Sequence, residues 1–254
     1  MDTPQAADTV LDDPVGRSLR GAHAGLARRR GRTATYLPGV ATFAAVPSDP
    51  APGDWADLAA LLGPGALADL FSAPAIPPAD WSPVFALDGL QLVGPVRTGG
   101  PDPDPDGVVE LGAADVPEVL ELVARTRPGP FGPRTVELGT YLGIRAGGVL
   151  VAMAGERLRP PGWTEISAVC TAPEARGRGH AAALVRTLQH RITARGERPF
   201  LHVADDNDAA LRLYARLGFT ERRRVRFTGA RVPTSRAPGG SHLLEHHSGE
   251  DGRT

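Results

Sequence analysis

"TAPEARGRGHAAALV", Thr171 to Val185, carries a glycine turn, Gly177-Arg178-Gly179, at the head of a helical pattern. Glycine lets a backbone adopt positive φ and come close to a ligand. The amides of a helix's first turn lack intrahelical acceptors and, with the helix dipole, attract anions. The stretch therefore predicts a phosphate site. How the turn joins the strand before it decides which fold carries that site.

"GRGHAA" (177–182) matches the dinucleotide fingerprint G-x-G-x-x-G/A, and Asp205 and Asp206 follow the next strand, where ribose binders would stand. Three features oppose that parse. "TAPEAR" separates the strand ending at Cys170 from the first glycine, whereas a Rossmann turn follows its strand at once. About 75 residues remain, too few for a doubly wound sheet. The preceding elements read as antiparallel hairpins rather than βαβ units.

The surrounding pattern is mixed α/β. Val108–Leu111 is a short strand, and Asp115 caps a helix over "VPEVLELVART". "TYLGIRAGGVLVAMAGERL" reads as a hairpin around Ala146-Gly147-Gly148. "TEISAVCT" is a strand. His180 to Arg195 is a helix closed by Gly196. "RPFLHVAD" is a strand, "NDAALRLYARL" a helix closed by Gly218, and "FTERRRVRFTG" a last strand.

The first hundred residues are also α/β. Pro14 to Arg30 reads as a helix with Leu19, Ala22 and Leu26 on one face. "TATYLPGVATFAAV" holds two strand-like runs around Pro38-Gly39. "DWADLAALL" is a helix opened by Asp54, and "WSPVFALDGLQLVG" is strand-like with a turn at Asp88-Gly89. No catalytic constellation stands out there. "GGPDPDPDG", Gly99 to Gly107, favours extended chain and predicts a linker (99–107) between an N-terminal domain (1–98) and a second domain (108–232).

Composition narrows the function. The chain has 254 residues and a formal net charge of -1, which implies no polyanionic partner. Residues 1–107 carry 7 Arg against 13 Asp, and residues 108–232 carry 19 Arg against 13 acids, so the second part suits a phosphate-bearing ligand. The runs "RRRGR" (28–32) and "RRRVR" (222–226) lack interleaved aromatics and read as solvated faces, so no nucleic acid is expected. No lysine is present, which excludes a lysine nucleophile and a P-loop lysine. The single Cys170 excludes an internal disulfide and a CxxC metal site. The acidic start "MDTPQAADTVLDDP" and the lack of a long apolar run suggest neither secretion nor a membrane, so a cytoplasmic location is expected; a monomer or homodimer is expected, with the choice not fixed by the sequence. "HLLEHH", His242 to His247, matches H-x-x-E-H, but it lies in a tail (233–254) with no domain for a third ligand; no metal is expected.

The alternative parse of the glycine turn is R-x-x-G-x-A, Arg176 to Ala181. Downstream, "NDAALRLYARLGF", Asn207 to Phe219, reads N-x-x-A-x-x-L-Y-x-x-x-G-F. This pair of motifs at this spacing resembles the GNAT superfamily of N-acetyltransferases over about 108–232. The stretch "FGPRTVELGTYLGIRAGGVLVAMAGERL" is similar, more loosely, to a bacterial subgroup with a degenerate acyltransferase-like first half. The resemblance implies a twisted mixed sheet flanked by helices, acetyl-CoA as co-substrate, and a small-molecule or peptide amine as acceptor. The alternative within the same fold is a non-catalytic CoA-binding or regulatory module.

It also implies roles. The amides of Gly177, Arg178, Gly179, His180, Ala181 and Ala182 would take the diphosphate, with Arg176 and Arg178 as cationic neighbours. Ala168, Val169 and Thr171 would pair their backbones with the pantetheine arm, and an amide near Val169 would polarise the thioester. Amine attack would be direct, without an acyl-enzyme. Tyr214 stands at the family's general-acid position; the alternative is a core aromatic. Asn207 can cap its helix and touch the cofactor. Glu165 is the candidate base, directly or through water; the alternative is an ion pair. Strand alternation puts Glu165, Ser167 and Val169 on one face and Cys170, read as a small buried side chain, on the other. Phe131, Arg134 and Glu137 can line the amine pocket or belong to a solvated loop. The imidazoles of His180 and His202 read as incidental.

Overall fold

The computed structural model describes residues 9–71, 73, 75–95 and 107–234. Almost all of the Gly99–Gly107 linker and of the 233–254 tail, including "HLLEHH", lies outside the described residues.

Among the described residues five α-helices and eleven strands follow one another. They are α1 (Pro14–Arg20), β1 (Ala27–Arg30), β2 (Thr33–Tyr36), β3 (Ala44–Ala45), α2 (Pro52–Leu62), β4 (Leu67–Phe71), β5 (Ser82–Val93), β6 (Val108–Leu111), α3 (Val116–Thr126), β7 (Tyr141–Ala146), β8 (Val149–Glu156), β9 (Trp163–Thr171), α4 (His180–Ala194), β10 (Arg198–Ala204), α5 (Asp208–Arg216) and β11 (Thr220–Arg231). Strands β1–β3 form a small antiparallel sheet. The other eight form one mixed sheet in the order β4-β11-β5-β10-β9-β8-β7-β6. Its single parallel pair is β9 with β10, which rules out a doubly wound dinucleotide fold.

Strand alternation explains the layering. Leu142, Ala152, Ala154 and Ile166 face α4 and α5, packing with Leu184, Leu188 and Tyr214. Tyr141, Val151, Met153 and Cys170 face the other way, onto Val119 and Leu122 of α3. The first hundred residues do not stand apart from this sheet. β5 lies between β10 and β11. Trp163 and Phe200 are buried among Leu11, Leu19, Tyr36 and Phe43.

Three local expectations from the first hundred residues are corrected. The helix expected over Pro14 to Arg30 ends at Arg20, and Arg28 to Arg30 lie on β1 paired with Thr33 to Thr35. The helix of "DWADLAALL" begins at Pro52; Asp54 sits inside its first turn and accepts the Ala51 amide at 2.8 Å. No turn occurs at Asp88-Gly89. Gly89 lies mid-strand opposite Val225, and a Cβ there would come 2.5 Å from the Phe227 ring and 2.6 Å from the Val203 carbonyl oxygen. That glycine serves close packing rather than chain reversal. The hairpin turn does occur at Gly147 (φ 59°) and Gly148 (φ 86°), between β7 and β8.

Candidate active site

A cleft of about 1030 Å³ runs along the end of the sheet where β9 and β10 separate. The two strands pair only from Trp163 to Glu165 and from Arg198 to Phe200. Beyond that, Ile166–Thr171 and His202–Ala204 line opposite walls. The separation coincides with a bulge in β9. Met153 pairs with Cys170 and Gly155 with Ser167, so β9 carries one extra residue there. Ala168 takes positive φ, 54°.

The bulge corrects the expected alternation. Val169 packs on the α4 and α5 side with Ile166, while Ala168 and Cys170 both pack on the α3 side. Glu165 and Val169 therefore do not share a face. Ser167, Ala168, Val169 and Thr171 all border the cleft. Cys170 is buried, and burial pushes its thiol up, so it is a packed side chain rather than a nucleophile.

At one end of the cleft the chain turns through Gly177 (φ 77°) and Gly179 (φ 82°), and Gly179 is the N-cap of α4. The first intrahelical bond leaves the Ala183 amide for the Gly179 carbonyl at 3.0 Å. The amides of Gly179 to Ala182 therefore precede the helical ladder. Arg176 to Ala182 all line the cleft, and nothing stands within 4 Å of a Cβ placed at either glycine. The arrangement is an open amide nest on a helix N-terminus with two arginines beside it.

Asn207 caps α5 by accepting the Ala210 amide at 3.1 Å, and it lines the cleft. Tyr214 combines core packing with a place on the cleft. It is 7 % exposed and packs against Phe219, yet it forms part of the cleft wall. Burial pushes its hydroxyl up to about 12, so the phenol keeps its proton at neutral pH.

Glu165 does not fit the base assignment. It is fully buried beneath the cleft and is not among the lining residues. Arg157 Nε and Nη2 donate to its two carboxylate oxygens at 2.8 and 2.7 Å, and the His202 Nδ1 lies 2.7 Å from Oε1. Burial alone would raise its pKa; the Arg157 charge and these hydrogen bonds hold it below the ordinary carboxylate range. A carboxylate so bound has little basicity to offer. Phe131, Arg134 and Glu137 also lie away from the lining. Phe131 packs edge-on against Tyr141 with ring centroids 5.4 Å apart. Arg134 pairs with Glu137 at 2.6 Å, and its amide donates to the Gly39 carbonyl at 2.9 Å. Of the three, Arg134 ties the second half to the first.

The structure supplies instead a set of residues not singled out from the sequence. Phe43, Asp69, Phe71, Phe85 and Leu87 come from the first hundred residues and line the end of the cleft beyond the splay, together with Arg157, His202 and Phe227. Phe71 stacks on Phe227 at 4.7 Å and meets the His202 ring at 4.8 Å. The Arg157 guanidinium lies over the Phe71 and Phe43 rings at 4.5 and 5.1 Å. His202, read as incidental, is a buried partner of Glu165. One signal was available: in "LADLF" alternation sets Asp69 and Phe71 on the same face, which places an acid on a buried strand.

A family model described as FR47-like protein matches residues 141–228. The N-alpha-acetyltransferase RimI of Mycobacterium tuberculosis is 37% identical over 154 residues, covering 55% of this chain and 96% of that protein. This chain belongs to the GNAT family of N-acetyltransferases. The crystal structure of a GNAT-family protein from Novosphingobium aromaticivorans is 41% identical, with a TM-score of 0.77, covering 87% of this chain and 97% of that one. A GCN5-related N-acetyltransferase from Kribbella flavida shares the fold, at 20% identity and a TM-score of 0.51 over 90% of this chain and 96% of that one. As a GNAT enzyme the chain is an acyl-CoA-dependent N-acetyltransferase, and its twisted mixed sheet with flanking helices is the GNAT architecture. Acetyl-CoA is the co-substrate of GNAT acetyltransferases, and the open nest at Gly177–Ala182 suits its diphosphate. Among the described residues no group of three or more His, Cys, Asp or Glu could hold a metal ion.

Proposed function

We propose that this cleft transfers the acetyl group of acetyl-CoA to a primary amine by direct attack. The observation that carries the reading is the continuity of one cleft from the left-handed glycine turn at the head of α4, past the β9 bulge, to the Tyr214 side chain. In this reading the diphosphate lies on the amides of Gly177 to Ala182, with Arg176 and Arg178 adding positive charge. The pantetheine arm lies along Ser167 to Thr171, where β9 has lost its parallel neighbour and its backbone groups need partners. Asn207 and Ala210 border the same arm.

Attack forms the carbon–nitrogen bond, and collapse breaks the carbon–sulfur bond. The thiolate takes a proton from Tyr214, and the proton lost by the new amide nitrogen restores the phenol. A phenol with its pKa pushed up to about 12 is a poor acid for an isolated thiolate. It serves when the two proton movements are linked, because no free tyrosinate is then left in a buried wall. Glu165 takes no part in proton transfer; it fixes Arg157 and His202 beneath the cleft. The likeness to an N-alpha-acetyltransferase supports an α-amine as acceptor. We read the first 98 residues as a diverged acyltransferase-like half that completes the acceptor end of the cleft.

Calorimetric titration with acetyl-CoA, beside NADH and NADPH, tests the reading. One-to-one acetyl-CoA binding that Gly179→Glu abolishes is the expected result. Binding of a dinucleotide in its place would overturn the reading.

A further inference from the structure

Asp69 stands out among the cleft residues. It sits on β4, 4 % exposed, between Ala68 and Leu70, which pack the opposite way into the core around Trp55 and Leu58. Its backbone is held on both sides, paired with Gly229 of β11 and bridged to Phe43. Its carboxylate faces the cleft. Thr42 Oγ1 donates to one oxygen, Oδ2, at 2.6 Å, and no ion pair engages the carboxylate among the described residues. The nearby cation Arg157 gives its Nε and Nη2 to Glu165 and acts on Asp69 only through its charge. A buried carboxylate costs several kcal/mol unless a partner compensates it. One threonine is an incomplete answer, and the remaining oxygen has only the cleft to look to.

Apart from Arg157 and His202, which are hydrogen-bonded to Glu165, the walls around it are apolar. Phe43, Phe71 and Phe227 form a packed aromatic set, and Phe85 and Leu87 stand at the open side, 39% and 46% exposed. Gly229, opposite Asp69, leaves room for the Phe85 ring, since a Cβ there would come within 2.2 Å of it. The cleft therefore ends in one acid set in an aromatic mouth. That arrangement fits a single ammonium attached to an apolar group and disfavours a polycation, whose further charges would meet rings rather than acids.

We propose that Asp69 binds the acceptor's ammonium and removes its proton, and that Phe71, Phe85, Leu87 and Phe227 select an α-amine next to an apolar side chain. This rests on the acetyl-transfer reading above. One ammonium proton moves to an Asp69 oxygen, leaving a neutral amine whose lone pair attacks the thioester. The protonated Asp69 later releases that proton to solvent, so each turnover yields the amide, the free thiol and one proton. Burial, more than any other influence, raises the Asp69 pKa, against the Thr42 hydrogen bond and the Arg157 charge; this brings its basicity closer to what an amine requires.

The test measures thiol release by the full chain with L-phenylalaninamide, glycinamide and spermidine as acceptors, and acetyl-CoA affinity separately. L-Phenylalaninamide is expected to have the highest kcat/KM. Asp69→Asn, which keeps the shape and a group to accept from Thr42, is expected to lower that value about 100-fold or more with acetyl-CoA affinity unchanged. Phe85→Ala, at the exposed mouth, is expected to raise KM for L-phenylalaninamide and leave that for glycinamide in place. Activity of Asp69→Asn within threefold of the parent, or preference for spermidine, would overturn the proposal while acetyl-CoA binding left the transfer reading standing. Absence of acetyl-CoA binding in the parent chain would remove both.

Discussion

Arg157 and Glu165 form a bidentate ion pair, at 2.7 and 2.8 Å, in which the carboxylate is fully buried and the guanidinium side chain is 10% exposed. The same guanidinium lies over Phe71 and Phe43. One pair thus joins β9, the end of β8 and the first-half aromatics beneath the cleft.

Glu165→Gln leaves Arg157 as an uncompensated buried charge. Breaking such a pair costs about 3–5 kcal/mol, read by urea denaturation at pH 7. Arg157→Met with Glu165→Gln is expected to recover part of that loss. If Glu165 only supports the fold, the acid limb of the pH–rate profile keeps its midpoint in Glu165→Gln. A midpoint that moves would return Glu165 to the chemistry.

The pH dependence of stability follows from the same group. The folded pKa of Glu165 lies below its unfolded value of about 4.3. Its contribution is therefore complete above that unfolded value and lost as the pH falls toward the folded one. Burial lowers the His202 pKa against the pull of Glu165, so His202 acts in the same direction, starting below its unfolded value of about 6.5. Tm is expected to be flat above neutrality and to fall as the solution is acidified. A Tm that rises on acidification would contradict both assignments.

Tyr214→Phe keeps the packing against Phe219 and removes the hydroxyl. A fall in kcat of about 10²–10⁴ with unchanged acetyl-CoA affinity is expected from steady-state kinetics and calorimetry. Unchanged kcat would leave Tyr214 as a core aromatic alone.

Two substitutions at Gly179 separate strain from crowding of the anion site. Its φ of 82° makes any side chain costly, about 1–2 kcal/mol for Ala, while nothing within 4 Å obstructs a Cβ. Gly179→Ala is expected to weaken acetyl-CoA modestly. Gly179→Glu, which adds negative charge at the nest, is expected to weaken it at least tenfold. Equal effects would mean that the diphosphate lies elsewhere.

Ala168 holds positive φ at the bulge. Ala168→Gly is expected to be neutral or stabilising, and the β-branched Ala168→Val to cost about 1–3 kcal/mol and raise KM for acetyl-CoA. Equal urea midpoints for the two variants would show that the bulge stores no strain.

The geometry of the proposed anion end was legible because its determinants are local. A strand, a positive-φ glycine pair and a helix start fall within fifteen residues, and Asn207 and Tyr214 lie seven apart on one helix. The acceptor end was not legible in the same way. Glu165 read as a base because alternation says which face a residue takes but not what already waits there. Phe131, Arg134 and Glu137 read as pocket residues because they flank the sheet in sequence; Arg134 is turned onto Gly39 and Pro38, about 95 residues earlier. Gly89 read as a turn because the ring of Phe227 that it accommodates is 138 residues away.

By itself the sequence determined the mixed α/β class, the amide nest at the head of α4 and the presence of Tyr214 beside it, since each depends on backbone preferences and spacings within a turn or two. Tertiary structure alone decided that β4 and β5 join the second-half strands, that Arg157 occupies Glu165, and that Asp69 faces the cleft. Those outcomes depend on which surfaces meet across long loops, and desolvation and ion pairing are properties of the meeting, not of either segment.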